Sequence, residues 1–301
     1  TIGLTRHITR PYLPQDYKLD TGPYTVEQVV HVEASWHHSK GKGVVEETQF
    51  IESLAFGADT VKLGGIVATA DPRDRNFKKI LKLHHKASPH FRGIRKMASF
   101  HEDKQIHAWT DEPQLYRNKK FLKGFEVLSQ YNLSFDAWVY STQLEDVIYL
   151  AKQFPETSIV LDHLGTPAGL FGPIGANTGM TQTARENIFF RWKDDLAELA
   201  SCPNVYTKMS GLFMPVLGHR FHKEGRLASK QEVFDLAHPM ITHALACFGT
   251  YRVMFASNFP MDSVSTSLIN IIDALSDVVA AYDPDALKRV FHHNAKQFYR
   301  L

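Results

Sequence analysis

Short apolar runs alternate along this chain with longer stretches of helical periodicity. The stretch Thr157–Gly165, TSIVLDHLG, sets the pattern: Ile159, Val160 and Leu161 run into Asp162, His163 and, two residues on, Gly165. An uninterrupted apolar run of this kind reads as a central parallel strand buried on both faces. Further strands are predicted over Gln28–Ala34, Leu63–Ala70, Phe91–Met97, Leu133–Tyr140, Val205–Ser210 and Arg252–Asn258. Helical periodicity predicts helices over Glu46–Phe56, Asn76–Ala87, Pro113–Tyr131, Thr142–Gln153, Thr183–Ala200, Lys230–Cys247, Ser265–Ala281 and Asp285–Tyr299. The last of these opens on a helix-start signal, Asp283-Pro284-Asp285. Residues 1–26, rich in Pro, Tyr and charge, read as an irregular surface segment.

Strict strand–helix alternation argues for a parallel sheet. The expected fold class is α/β, a (β/α)8 TIM barrel. A closed barrel needs an eighth strand, and the missing first one would precede Gln28, where residues 1–26 supply no candidate. The chain opens on Thr1 rather than Met, so its start reads as a processed or trimmed end. No repeat or break in composition divides residues 1–301, which read as one domain. Loops from helix to strand are short. Those from strand to helix include three long ones, Ala98–Glu112, Thr166–Gln182 and Leu212–Ser229. In a barrel that second set forms the catalytic face. The Gly-rich Thr166–Gln182 reads either as a mobile lid or as a disordered insertion.

Alternation along each strand divides its residues between lumen and helix layer. It sends Ser134, Asp136, Trp138 and Tyr140 into the lumen and Phe135, Ala137 and Val139 out. It puts His31 and Glu33 inside and Val30 and Val32 outside. Arg95, Tyr206, Lys208, Ser210, Ala256 and Asn258 point inward, and His163 shares a face with Ile159 and Leu161. The carboxyl ends would thus gather Glu33, Arg95, Asp136, Trp138, His163, Lys208 and Asn258. Burying Arg and Lys is costly unless they are paired, and Glu33 and Asp136 are natural partners. Five strands ending in polar groups point to a site for an oxygenated substrate. Arg95 and Lys208 could hold a carboxylate or polarise a carbonyl. His163 could donate to an oxygen or bind a metal, Glu33 or Asp136 could activate a water, and Trp138 could stack on a ring.

Bulk composition mostly excludes. With 34 basic and 32 acidic residues the net charge is +2, so nothing marks a nucleic-acid binder. No apolar run is long enough to span a membrane, and no signal peptide opens the chain. Cys202 and Cys247 read as reduced thiols of a cytoplasmic protein, one disulfide being the alternative. There is no GxSxG elbow, glycine-rich phosphate loop, HxH or HExxH. The adjacent pairs His37-His38, His84-His85 and His292-His293 diverge in direction and read as surface or core residues.

Taken in order, HVEA (31–34), FRGIR (91–95), LSFDAWV (133–139), VLDHLGTP (160–167), CPNVYTKMSGL (202–212), RVMFASNFPMD (252–262) and NAKQFYRL (294–301) resemble the amidohydrolase superfamily. The likeness is to its amidohydrolase-related, lactonase-like branch, and it runs from about Arg10 to Leu301. It implies a (β/α)8 barrel hydrolysing lactones or related C–O or C–N bonds. His163 matches the histidine ending the DHxG strand, and Arg95 the arginine of RGIR. Asn258 stands where the superfamily usually has an Asp. Two departures, no HxH and an amide at 258, bear on the one divalent metal (Zn) that the family would bring, for which His163 is the only ligand in view.

The expected function is therefore a lactonase on a sugar-derived or small organic-acid lactone. His163 and Arg95 would polarise the carbonyl, Glu33, Asp136 or Asp262 would activate water, and Asn258 would orient it. His31, Trp138, Lys208 and Asp262 are the expected substrate contacts. A small molecule is the expected partner, with no nucleic acid or membrane, on a monomer or homodimer. The alternatives are an amidohydrolase-type decarboxylase and a non-catalytic small-molecule-binding barrel.

Overall fold

The structure, a computed structural model, describes residues 7–36, 41–57 and 59–301. Seven parallel strands form one curled sheet in chain order: β1 (Gln28–Val32), β2 (Lys62–Thr69), β3 (Phe91–Arg95), β4 (Ser134–Ala137), β5 (Ile159–Leu161), β6 (Val205–Met209) and β7 (Val253–Phe255). Among the described residues this is a TIM barrel with seven of its eight strands. Among the described residues β1 pairs only with β2 and β7 only with β6.

The helices are α1 (Pro14–Asp20), α2 (Val45–Ser53), α3 (Phe77–Ala87), α4 (Lys119–Phe125), α5 (Val127–Gln130), α6 (Leu144–Gln153), α7 (Gln182–Ala200), α8 (Phe221–Glu224), α9 (Lys230–Phe248), α10 (Leu268–Tyr282) and α11 (Asn294–Tyr299). Three depart from expectation. The first is α1, which occupies part of the segment read as irregular; Pro14 opens it, as Pro suits a first helical turn. The predicted helix over 113–131 is broken into α4, α5 and a preceding 3-10 turn. Gly124 of α4 explains some of this: a Cβ there would fall 1.9 Å from the Pro72 carbonyl oxygen, so the segment is pressed against the β2 loop. The predicted final helix is interrupted by one π-helical turn over Arg289–His293. Asp283 does cap the stretch before it, accepting from the Asp285 N–H at 3.0 Å.

Two apolar layers flank the sheet. Between strands and helices lie Ile66, Ile94, Phe135, Ile159, Leu161 and Val253 with the inner faces of the helices. Inside the barrel Val67, Val160 and Met254 pack with Val30, Val32, Tyr206, Phe298 and Tyr299. So Val30 and Val32 face the lumen, opposite to the alternation read from sequence. His31 faces outward, its Nε2 3.1 Å from Glu47 Oε1 on α2. Both faces of a barrel strand are apolar over much of its length, so alternation alone cannot say which set is inside.

The loop Thr166–Gln182 is packed down rather than a loose flap. Leu170 and Ile174 are buried. Gly169 and Phe171 N–H groups donate to the carbonyls of Val216 and Leu217. Asp103 accepts from the Ala176 and Asn177 N–H groups, both at 2.8 Å. His84 is a core residue, its ring nitrogens 2.8 Å from Thr48 Oγ1 and 3.1 Å from the Thr69 carbonyl. His292 lies against Glu27. His37 and His38 lie outside the described residues. Both cysteines are free thiols. No helix among the described residues is long and apolar enough to cross a membrane.

Candidate active site

A layer of buried charge closes the apolar lumen at the carboxyl ends of the strands. Arg95, ending β3, donates from Nε to Glu33 Oε1 at 2.7 Å and from Nη1 to Asp162 Oδ2 at 3.0 Å. Its Nη2 donates to the Glu33 carbonyl. Lys208, on β6, places Nζ 2.5 Å from Asp136 Oδ2 and 2.8 Å from Asp162 Oδ1. The Tyr299 hydroxyl donates to the same Asp136 oxygen at 2.9 Å, and the Lys208 ammonium lies 5.6 Å from the Tyr299 ring centroid. All six side chains are buried.

The Coulomb energies oppose burial and mostly win. Burial alone would raise Asp162, but Lys208 and Arg95 overcome it and hold that carboxyl well below its usual range. Burial would likewise discharge Lys208, and Asp136 and Asp162 hold it well above its ordinary value. Three carboxylates share two cations here, and Asp136 carries the deficit. Burial pushes it up to about 6 despite Lys208, and its Oδ1 has no hydrogen-bond partner. Arg95 and Lys208 are thus committed to carboxylates, and neither offers the free cation that the sequence suggested for a substrate.

His163 owes its place to an unusual turn. Asp162 keeps the parity of Val160 and points into the lumen, whereas Ile159 and Leu161 pack outward. The backbone then turns left-handed at His163 (φ 55°), Leu164 (φ 50°) and Thr166 (φ 41°), which ends the alternation and brings the imidazole to the mouth. Such conformations cost on the order of 1–3 kcal/mol each outside glycine. The turn is held by the Trp192 indole donating to the Leu164 carbonyl at 2.7 Å and by the Thr166 N–H donating to the His163 carbonyl at 2.9 Å. His163 Nδ1 lies 2.8 Å from Ser210 Oγ, leaving Nε2 uncommitted. Burial pushes the ring down to about 4, with Asp162 opposing, so it is neutral at physiological pH.

Trp138 is packed around His163 rather than open for stacking. It is 7% exposed. Its indole donates to Thr166 Oγ1 at 3.0 Å, its ring meets His163 edge to face at 5.6 Å, and the Arg95 guanidinium lies over it at 5.6 Å. Asp262 sits apart from the ion network. Its partner is the Asn258 amide, which donates at 2.8 Å, and the Phe213 N–H faces it. With no cation beside it, burial pushes Asp262 up to about 8. His163 and Asp262 both border the turn that starts at Gly211. A Cβ on that glycine would fall 2.5 Å from the imidazole.

The structure thus brings together Glu33, Arg95, Asp136, His163, Lys208 and Trp138, and places Asn258 with Asp262. It removes His31, which points to α2. Glu33 reaches the network because it lies beyond Val32, the last ladder residue, where alternation no longer governs direction. Asp162, Ser210 and Tyr299 were not among the expected site residues. The parity of Val160 marks Asp162, and strand position marks Ser210; Tyr299, in a helix from the far end of the chain, carries no such mark.

Comparison with known proteins agrees with the fold. The amidohydrolase family model matches residues 10–301, and this chain belongs to that family of hydrolases. Protein y4mH of Sinorhizobium fredii is 30% identical over 297 residues, spanning 98% of this chain and 87% of that one. The L-fucono-1,5-lactonase of Burkholderia ambifaria is 28% identical over 219 residues, 71% of this chain but only 62% of the lactonase. A crystal structure of a Burkholderia multivorans amidohydrolase with bound zinc superposes with a TM-score of 0.76 at 20% identity, covering 98% of this chain and 90% of that one. Among the described residues of this chain no group of three or more His, Cys, Asp or Glu could hold a metal ion. The side chains among the described residues therefore do not fit a bound zinc.

Proposed function

We propose that the protein hydrolyses a small sugar-derived or organic-acid lactone, with His163 and Asp262 as the reacting groups. The observation that carries this reading is the buried, neutral His163 whose Nδ1 is engaged by Ser210 while Nε2 is left for a ligand. With Ser210 donating to Nδ1, the proton sits on Nε2. A neutral imidazole can then polarise the lactone carbonyl without being consumed as a base. Asp262 is the site carboxyl free of any cation, and as carboxylate it takes a proton from the attacking water. Asn258 orients Asp262. Water adds to the carbonyl carbon, the ring C–O bond breaks, and the ring oxygen leaves with the proton as a hydroxyl. Glu33, Arg95, Asp136, Asp162 and Lys208 form the electrostatic floor, and Trp138 fixes the imidazole.

The reading carries with it a small-molecule substrate, one domain over residues 1–301, a cytoplasmic location, and a monomer or homodimer. The test is proton release from a panel of aldonolactones and aliphatic lactones, with and without chelator. Turnover lost in both His163→Asn and Asp262→Asn supports it. Melting shifts with a lactone but no turnover would favour a binding barrel, and carbon dioxide release from hydroxybenzoates a decarboxylase.

A further inference from the structure

Phe298 and Tyr299 sit side by side on α11 and both fill the lumen from below. Phe298 does so with carbon alone, against Tyr206 at 5.0 Å between ring centroids. Tyr299 is 2% exposed and yet carries a hydroxyl. A buried hydroxyl is costly unless bonded, and this one donates to Asp136 Oδ2 with the Lys208 ammonium also within its reach.

That bond bears on the geometry of the ion network. Asp136 Oδ2 takes both the Tyr299 hydroxyl and the Lys208 ammonium, while Oδ1 takes nothing. Two donors converging on one oxygen fix the torsion of the carboxylate. Without the hydroxyl the group can rotate and offer Oδ1 to Lys208 equally well. Lys208 then loses its fixed position between Asp136 and Asp162, and Asp162 is the residue next to His163 in the strained turn.

We infer that Tyr299, a residue of the last helix that touches no part of the open site, is a positioning residue for the proposed hydrolysis. Its hydroxyl orients Asp136, which orients Lys208 towards Asp162 and so fixes the floor under His163. The inference rests on the proposed function for its kinetic part and on the ion network alone for its structural part.

The test is Tyr299→Phe beside Phe298→Leu, each compared with wild type. Two readouts are used: lactone kinetics per folded molecule, and the Lys208 ammonium resonance in 15N-labelled protein, assigned by its loss in Lys208→Met. The expected result for Tyr299→Phe is a kcat about tenfold lower, KM unchanged, and a Lys208 resonance shifted or broadened by exchange. Phe298→Leu should lower Tm and leave kcat and the resonance as in wild type. An unchanged Lys208 resonance in Tyr299→Phe overturns the inference, as does a kcat no lower than that of Phe298→Leu. A wild-type protein that turns over no lactone refutes the proposed function instead, because the resonance reports the Tyr299 contact without turnover.

Discussion

Replacing Arg95 with Met tests whether the ion network is held as described. The guanidinium contributes three hydrogen bonds, two of them to the carboxylates of Glu33 and Asp162. Methionine keeps much of the length and none of the charge. Glu33 retains the Thr69 hydroxyl and the Ser35 N–H, and Asp162 retains Lys208, so the two carboxylates are weakened rather than stranded. Removing one partner of a buried pair costs roughly 3–5 kcal/mol, and the surviving contacts place this case near about 3–4 kcal/mol. At about 2 cal/mol/K of unfolding entropy per residue, 301 residues give on the order of 0.6 kcal/mol/K, so Tm should fall by ~5–6 °C. Calorimetry from about pH 2 to 8 is the assay, because the Asp162 window lies below the ordinary aspartate pKa of about 3.9. The native Asp162 carboxyl is held below its unfolded value, mainly against burial by Lys208 and Arg95. Its contribution is present above the unfolded pKa and lost as the pH falls through the native one. The gap between wild type and variant should therefore narrow in acid. A fall in Tm under about 2 °C at pH 7, or a gap that widens in acid, would refute the pairing.

Three further outcomes follow from the site. Asp262→Asn should cost at least about a hundredfold in kcat/KM and remove a limb through which wild-type activity rises with pH to a plateau above about 8. Its native pKa lies above the unfolded one, so its contribution to stability is greatest in acid and gone above about 8; the same variant should flatten the decline of Tm over that range. Gly211→Ala should displace the imidazole, since the new Cβ meets the ring at 2.5 Å and the backbone stands at φ 64°; activity should fall about tenfold or more, read as kcat/KM on the best lactone. His31→Ala should leave kcat/KM within about twofold, because that ring faces Glu47 on α2; a tenfold loss on the same assay would return His31 to the site.

Much of this protein is legible in its sequence because apolar runs and helical periods are local. The strands, their parallel arrangement and the long loops of one face follow from spacing along the chain. Arg95, Asp136 and Lys208 are legible because each lies within a regular strand, where period two fixes its face once the neighbours' burial is known. Where the ladder stops, the rule stops. Glu33, beyond Val32, and His163, in its left-handed turn, reach the mouth through backbone directions that alternation does not describe. Alternation alone misplaces His31, because Val30 and Val32 suit a lumen as well as a helix layer. Which cations remain free for a substrate was decided only by tertiary structure. Whether Arg95 and Lys208 are spent on carboxylates depends on distances between different strands, and Tyr299 meets Asp136 from 163 residues away. The sequence by itself determined which groups the barrel would carry; the folded chain decided how they are paired, because ion pairing and burial depend on distances in space that no local pattern encodes.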